Sequence, residues 1–170
     1  MEPEAMFPSG LLSPHEVSWF SERLRALGER PLELDGLETF RFTWLRTFHA
    51  PVAVRFESLA DYPALLTVKM LEGSEPERRK VERSFELPRL AWQSFQQLVA
   101  KAAFWTMPAR LEDQTGRDGA DWLLEGVLGG RYHLVLRWSP KHDPSQASFS
   151  ALCSRLIELA QLGLPEREIY

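Results

Sequence analysis

A chain of 170 residues with 44% apolar and 26% charged side chains has the composition of one ordinary folded domain, long enough to bury roughly 70% of its unfolded surface. Its formal charge of −4, from 20 Lys and Arg against 24 Asp and Glu, argues against a general nucleic-acid binder, which carries a basic patch. The single cysteine, Cys153, excludes an internal disulfide and any cysteine-based zinc cluster.

Residues 1–12, MEPEAMFPSGLL, carry acids and prolines where a secretory signal has a basic start and a long apolar core, and they read as a loose arm. No apolar run approaches the ~18 residues of a membrane span, so the expectation is a cytoplasmic protein with no membrane association. Ser13-Pro14-His15-Glu16 has the order of a capping box, with Pro at the first helical position. Val17, Phe20, Leu24 and Leu27 then recur at helical spacing, and Gly28 supplies the stop. Residues 29–37 are a connection.

From Glu38 to Phe48 the chain alternates, with Phe40, Phe42 and Trp44 on one side and Arg41, Thr43 and Leu45 on the other; Val52, Val54 and Phe56 alternate in the next strand. A loop with an odd number of residues between them brings the two apolar sets together. The expected loop has three or five residues, pairing Trp44 with Val54 and Phe42 with Phe56. Leu65 to Leu71 and Lys80 to Leu87 are two further strands, separated by the charged, breaker-rich EGSEPERRK, a solvated loop. A helix follows from Pro88 to about Ala103, with Leu90, Phe95, Leu98, Val99 and Ala102 as its apolar stripe, and Phe104 to Pro108 end it.

The stretch from Asp118 to Pro140 is a hairpin turning at Gly129-Gly130, two residues that accept positive φ. Centring the turn there sets Gly126 opposite His133 and Glu125 opposite Leu134. Leu123, Glu125, Val127, Tyr132, Leu134, Leu136 and Trp138 then share one face; Trp122, Leu124, Gly126, His133, Val135 and Arg137 share the other. Both faces are apolar enough to place this hairpin centrally in its sheet, covered on both sides. Phe149, Leu152, Cys153, Leu156, Ile157 and Ala160 mark a last helix, which makes Cys153 an inert core thiol. The domain is expected to run over 13–163, and the tail that follows, residues 164–170 of the stretch GLPEREIY, to fray. The fold class is α+β, a largely antiparallel sheet of about six strands with three helices, in the order α-β-β-β-β-α-β-β-α.

Glu125 lies among residues that are dry, so it must be paired, hydrogen-bonded or protonated. A structural Glu that reaches an Arg or a backbone N–H and fixes packing outranks a perturbed catalytic acid. His133, beside the room left by Gly126, reads as a sheet histidine ahead of a catalytic one. No histidine spacing, phosphate loop or nucleophile elbow is present, and neither a metal nor a cofactor is expected. The exposed aromatic candidates are Trp19 and Trp92, and the acidic ones are Glu72, Glu75 and Glu77, which suit a protein partner because Trp, Tyr and Arg dominate binding hot spots.

Phe104-Trp105 with Pro108, then Asp118-Gly119, Trp122, Glu125, Gly130, Tyr132-His133 and Arg137-Trp138-Ser139-Pro140, resemble a pattern of small uncharacterised bacterial proteins, FW–P followed by DG–W–E–G–YH–RW–P. The resemblance covers about residues 38–160. It implies a bacterial source and a shared α+β fold, and it carries no established activity. Two functional expectations follow. One is a non-enzymatic protein-binding module, for instance an immunity protein that neutralises a bacterial toxin. The other is a small enzyme with a polar site of Glu125, His133 and Arg137, joined by Arg46 or His49; it requires Glu125 and His133, on opposite faces by the hairpin register, to come within hydrogen-bond reach.

Overall fold

The computed structural model describes residues 4–58, 60–112, 114 and 116–170. Strands β1 (Thr39–Arg46), β2 (Val52–Glu57), β3 (Ala64–Glu72), β4 (Arg79–Leu87), β5 (Ala120–Leu128) and β6 (Arg131–Trp138) form one antiparallel sheet in the order β4-β3-β2-β1-β5-β6. Helices α1 (Pro14–Ala26), α2 (Arg89–Lys101) and α3 (Ala147–Ala160) complete an α+β domain with the element order expected from the sequence.

Strand alternation divides the interior in two. Phe40, Phe42 and Trp44 of β1, Val52, Val54 and Phe56 of β2, and Trp122 and Leu124 of β5 face α2 and α3. There Phe40 meets Phe95 and Phe104 edge-on, with ring centres 5.1 and 5.7 Å apart, a favoured aromatic geometry. Leu45, Ala53, Leu123 and Leu134 face the other way, onto Phe20, Leu24 and Leu27 of the α1 region. Ser13 caps α1 as expected, its hydroxyl accepting from the Glu16 N–H while the Glu16 carboxylate accepts from the Ser13 N–H. Cys153 is fully buried, and burial pushes its thiol pKa well up, which leaves it inert.

Six sequence expectations are corrected. The β1–β2 loop has five residues and the expected parity, but the pairs are Trp44 with Val52, Phe42 with Val54 and Phe40 with Phe56. A shift of two residues keeps every side chain on its face, so apolar patterning cannot distinguish the two registers. The inward side of α2 is Trp92, Phe95 and Val99, while Leu90 is 68% exposed; two residues turn ~200° around a helix, so Leu90 and Trp92 cannot share a face. Trp92 is therefore core, against Phe40 and Phe56, and not a surface aromatic.

The β5–β6 hairpin has the expected register, and Gly129 and Gly130 have φ of +56° and +74°. Only β5 is central, however; β6 is an edge strand. Its outer edge is satisfied by the segment after α2, whose Ala109 carbonyl accepts from the Leu136 N–H at 2.8 Å and whose Gln114 side chain accepts from the Trp138 N–H at 3.1 Å. The opposite edge, β4, exposes Lys80, Glu82, Arg83 and Glu86, charges that discourage pairing with another strand.

The segment before α1 and the C-terminal tail are both docked. Met6, Phe7 and Leu12 are buried in the α1-side core, with Phe7 edge-on to Phe20, so residues 6–12 are a packed arm rather than a loose one. The tail is fixed as well: Trp44 Nε1 and Trp122 Nε1 both donate to the Tyr170 main-chain oxygen, at 2.9 and 3.0 Å. Buried indole N–H groups require an acceptor, and the returning tail supplies it.

Candidate functional site

Glu125 lies on β5 facing α1 and is fully buried. Arg41, its neighbour on β1, holds it bidentately, Nε to Oε2 at 2.7 Å and Nη2 to Oε1 at 2.8 Å, and the Tyr132 hydroxyl donates to Oε1 at 2.9 Å. The pair belongs to a larger ionic network that the sequence did not reveal. Glu29, just past α1, accepts from Arg41 Nη1 at 3.2 Å and also pairs with Arg55 and with Lys69, the latter at 2.9 Å. Burial alone would raise the Glu29 pKa, but the charges and hydrogen bonds of Arg55, Arg41 and Lys69 outweigh it and hold it at about 2. Four strands, β1, β2, β3 and β5, and the end of α1 are thus cross-linked by complementary charge, the role expected of Glu125 in its structural form.

His133 and Arg137 project from the opposite face. His133 Nε2 lies 2.9 Å from the Met107 carbonyl and its ring packs edge-on against Phe104, centres 5.3 Å apart. The space above Gly126 is not open beside the imidazole, because a Cβ there would lie 2.7 Å from Phe40 and 3.0 Å from Phe104. Arg137 directs Nε to Gln146 at 2.7 Å and Nη2 to the Pro108 carbonyl at 2.8 Å, anchoring the segment that covers the β6 edge. Glu125, His133 and Arg137 therefore form no common cleft. Each holds a different part of the fold.

Arg46 and His49 stand elsewhere, at the end of the sheet where the β1–β2 loop meets the β3–β4 loop. A cleft of about 690 Å³ opens there on the α1 side, and a second of about 670 Å³ on the side of the C-terminal tail. Arg46, His49, Glu75 and Arg78 line both. Trp19 lines the first and Glu72 the second. Glu77 is exposed on the β3–β4 loop. Thus the residues singled out for partner binding, Trp92 excepted, gather with Arg46 and His49 at one end of the molecule.

Residues that were not singled out as partner-binding candidates complete the first cleft. Arg23, one turn beyond Trp19 on α1, sits over the indole with its guanidinium carbon 3.1 Å from the ring centre. Asp121 and Trp138, at the start of β5 and the end of β6, form the floor together with Arg117. Burial raises the Asp121 pKa to about 6; Glu16 adds to this, while the nearby Trp19 indole and Arg23 oppose it. Four arginines, Arg23, Arg46, Arg78 and Arg117, face Glu22, Glu75 and Asp121 across this space. As Asp121 takes up a proton near pH 6, the cleft becomes more positive. The i, i+4 spacing of Trp19 and Arg23 was a visible cation–π signal; the others meet only through tertiary structure.

His49 is held by the tail, Nδ1 at 2.9 Å from the Tyr170 hydroxyl and Nε2 at 3.6 Å from Glu168. Among the described residues no three His, Cys, Asp or Glu side chains are grouped to hold a metal ion, and no helix is long and apolar enough to cross a membrane. Compared with protein-family models and with curated proteins, the chain matches none.

Proposed function

We propose that the chain is a non-enzymatic protein-binding module that docks its partner at the loop end of the sheet. In the narrower form it is an immunity protein of the bacterial family whose FW–P and DG–W–E–G–YH–RW–P pattern it resembles, neutralising a toxin in the cytoplasm. The observation that carries the reading is the Trp19–Arg23 stack, 39% of Trp19 being exposed, at the edge of the 690 Å³ cleft. Trp and Arg are the side chains that dominate binding energy when a partner desolvates them, and here they are preorganised against each other at little entropic cost. The exposed Glu72, Glu75 and Glu77 beside them suit a basic rim on that partner, which they would steer into contact.

The test is capture by the tagged chain from its source cells at moderate salt, repeated with a Trp19→Ala/Arg23→Ala variant. One stoichiometric partner is expected for the parent. Its affinity should fall about 30-fold for the variant, the factor of a ~2 kcal/mol hot spot, and further when Glu72, Glu75 and Glu77 are changed to Lys. Thermal midpoints establish that the variants are folded. A partner retained equally by both variants would place the interface elsewhere, and capture of no reproducible partner would remove the reading.

A further inference from the structure

Three successive main-chain oxygens of the C-terminal tail each accept from side-chain donors of the body. Arg46 Nη1 donates to the Glu168 oxygen at 3.1 Å and Lys141 Nζ to that of Ile169 at 3.0 Å. The Trp44 and Trp122 indoles donate to that of Tyr170 at 2.9 and 3.0 Å, which engages both of its lone pairs. The Tyr170 hydroxyl lies 2.9 Å from His49 Nδ1 and accepts from the Phe48 N–H at 3.4 Å. Lys141 also pairs with Glu166, and His49 Nε2 lies 3.6 Å from Glu168. The Glu168 and Ile169 N–H groups, by contrast, bond within the tail, to Pro165 and Glu166. Main-chain hydrogen bonds for affinity and side-chain contacts for specificity are the means by which grooves bind peptides.

The donors are rigid, whereas the tail is lightly held. Trp44 and Trp122 are fully buried and meet edge-on, centres 6.1 Å apart, and the Arg46 guanidinium carbon sits 4.2 Å from the Trp44 ring centre. None of residues 161–170 is fully buried, and Glu166 and Arg167 are exposed. The tail crosses between two openings, the 670 Å³ cleft and another of about 350 Å³ against Ile157 of α3. At its root Gln161 and Gly163 have φ of +49° and +67°, and a Cβ on Gly163 would touch nothing. No packing around Gly163 therefore resists a swing of the tail. Once it swings, two buried indole N–H groups lack an acceptor, and the oxygens of another peptide can replace those of the tail.

We infer that Trp44, Trp122, Arg46, Lys141 and His49 form a peptide-binding groove that the tail fills in cis. Its ligand in trans is a short segment of the protein partner with the pattern of residues 168–170, an acid, an aliphatic residue and a tyrosine. That the segment belongs to a partner rests on the binding-module reading; the peptide chemistry rests on the groove. The docked tail lowers the apparent affinity by the fraction of molecules in which the groove is open.

The experiment titrates a fluorescent peptide of residues 164–170, LPEREIY, into three full-length chains: the parent, Tyr170→Phe and Ile169→Ala/Tyr170→Ala. Anisotropy should show affinity rising in that order, about tenfold or more from parent to double variant, because each change weakens the competing tail and leaves the groove intact. The tryptophan emission of the double variant should lie at longer wavelength than the parent's and return as peptide binds. Equal affinity for all three chains, or no saturable binding, overturns the groove. So does equal binding of a control peptide ending in Ala-Ala. Where circular dichroism shows the double variant unfolded, Tyr170→Phe, which loses one hydroxyl, decides alone. Partner capture separates the two readings. Peptide binding in the expected order with no captured partner upholds the groove and removes the binding-module reading. A partner captured by a chain that binds no peptide overturns the groove alone. A parent that dimerises over the same concentration range assigns the trans segment to a second copy and overturns its assignment to a partner.

Discussion

Replacing Glu125 by Gln is expected to lower stability by about 3–5 kcal/mol in urea denaturation, because it removes the bidentate carboxylate from a fully buried Arg41 guanidinium and leaves Glu29, at 3.2 Å, as its remaining counter-charge. Both partners of this pair are fully buried, so solvent screening does little to soften the loss. Replacing the pair together, Arg41→Met with Glu125→Leu, should cost clearly less than the two single changes added, since no charge is then left unpaired. A loss below about 1 kcal/mol for Glu125→Gln would mean that the pair is hydrated and the network peripheral. Glu29 extends the same argument to pH. Its carboxyl is held at about 2 against an ordinary value of 4.5, so in acid the unfolded chain binds a proton that the folded chain refuses. The corresponding stabilisation, roughly 3 kcal/mol, is complete above the ordinary value and disappears as pH falls toward 2. Urea midpoints measured from pH 6 to 2 should fall steeply, and Glu29→Gln should flatten that slope while lowering stability at pH 7. An unchanged slope would assign the acid sensitivity to other carboxylates.

Ending the chain at Gly163 is expected to cost about 2–4 kcal/mol, far more than removal of a frayed tail would. The Tyr170 main-chain oxygen is the acceptor for both the Trp44 and Trp122 indoles, and Leu164, Ile169 and Tyr170 pack on the α2–α3 core. Each stranded indole N–H costs about 1–3 kcal/mol unless water reaches it, and the lost apolar cover adds to this. Tryptophan fluorescence provides a second readout: two indoles that lose their acceptor and gain water should shift to longer wavelength. A truncated chain with parent stability and an unshifted spectrum would show that the tail contributes nothing. Because the tail also holds Arg46 through Glu168 and His49 through Tyr170, the same truncation should loosen the second cleft.

The element order, the Ser13 cap, the Gly129-Gly130 turn, the two faces of the hairpin and the need of Glu125 for a structural partner, an Arg or a backbone N–H, were all legible in the sequence. Each depends on neighbours within a few residues, on strand alternation, or on the rule that a dry carboxylate needs a partner. Which arginine would serve was not legible. Arg41 and Glu125 lie 84 positions apart, and Glu29 sits in a connection with no periodicity to mark it.

The loop-end clefts followed the same division. Trp19, Glu72, Glu75, Arg46 and His49 were each noticed for a local reason, whereas their convergence with Arg78, Arg117, Asp121 and Trp138 arises because the β1–β2 and β3–β4 loops and the open end of the β5–β6 hairpin lie at one end of the sheet. Trp92 shows the reverse case: judged by its polar helical neighbours it reads as surface, but the helix turns it onto Phe40 and Phe56. By itself the sequence determined the periodicities, and with them which residues share a strand face and where the chain turns. Tertiary structure alone decided the two-residue choice of register, the docking of the segment before α1 and of the tail, and which charges meet, because these depend on distances closed between segments far apart in the chain.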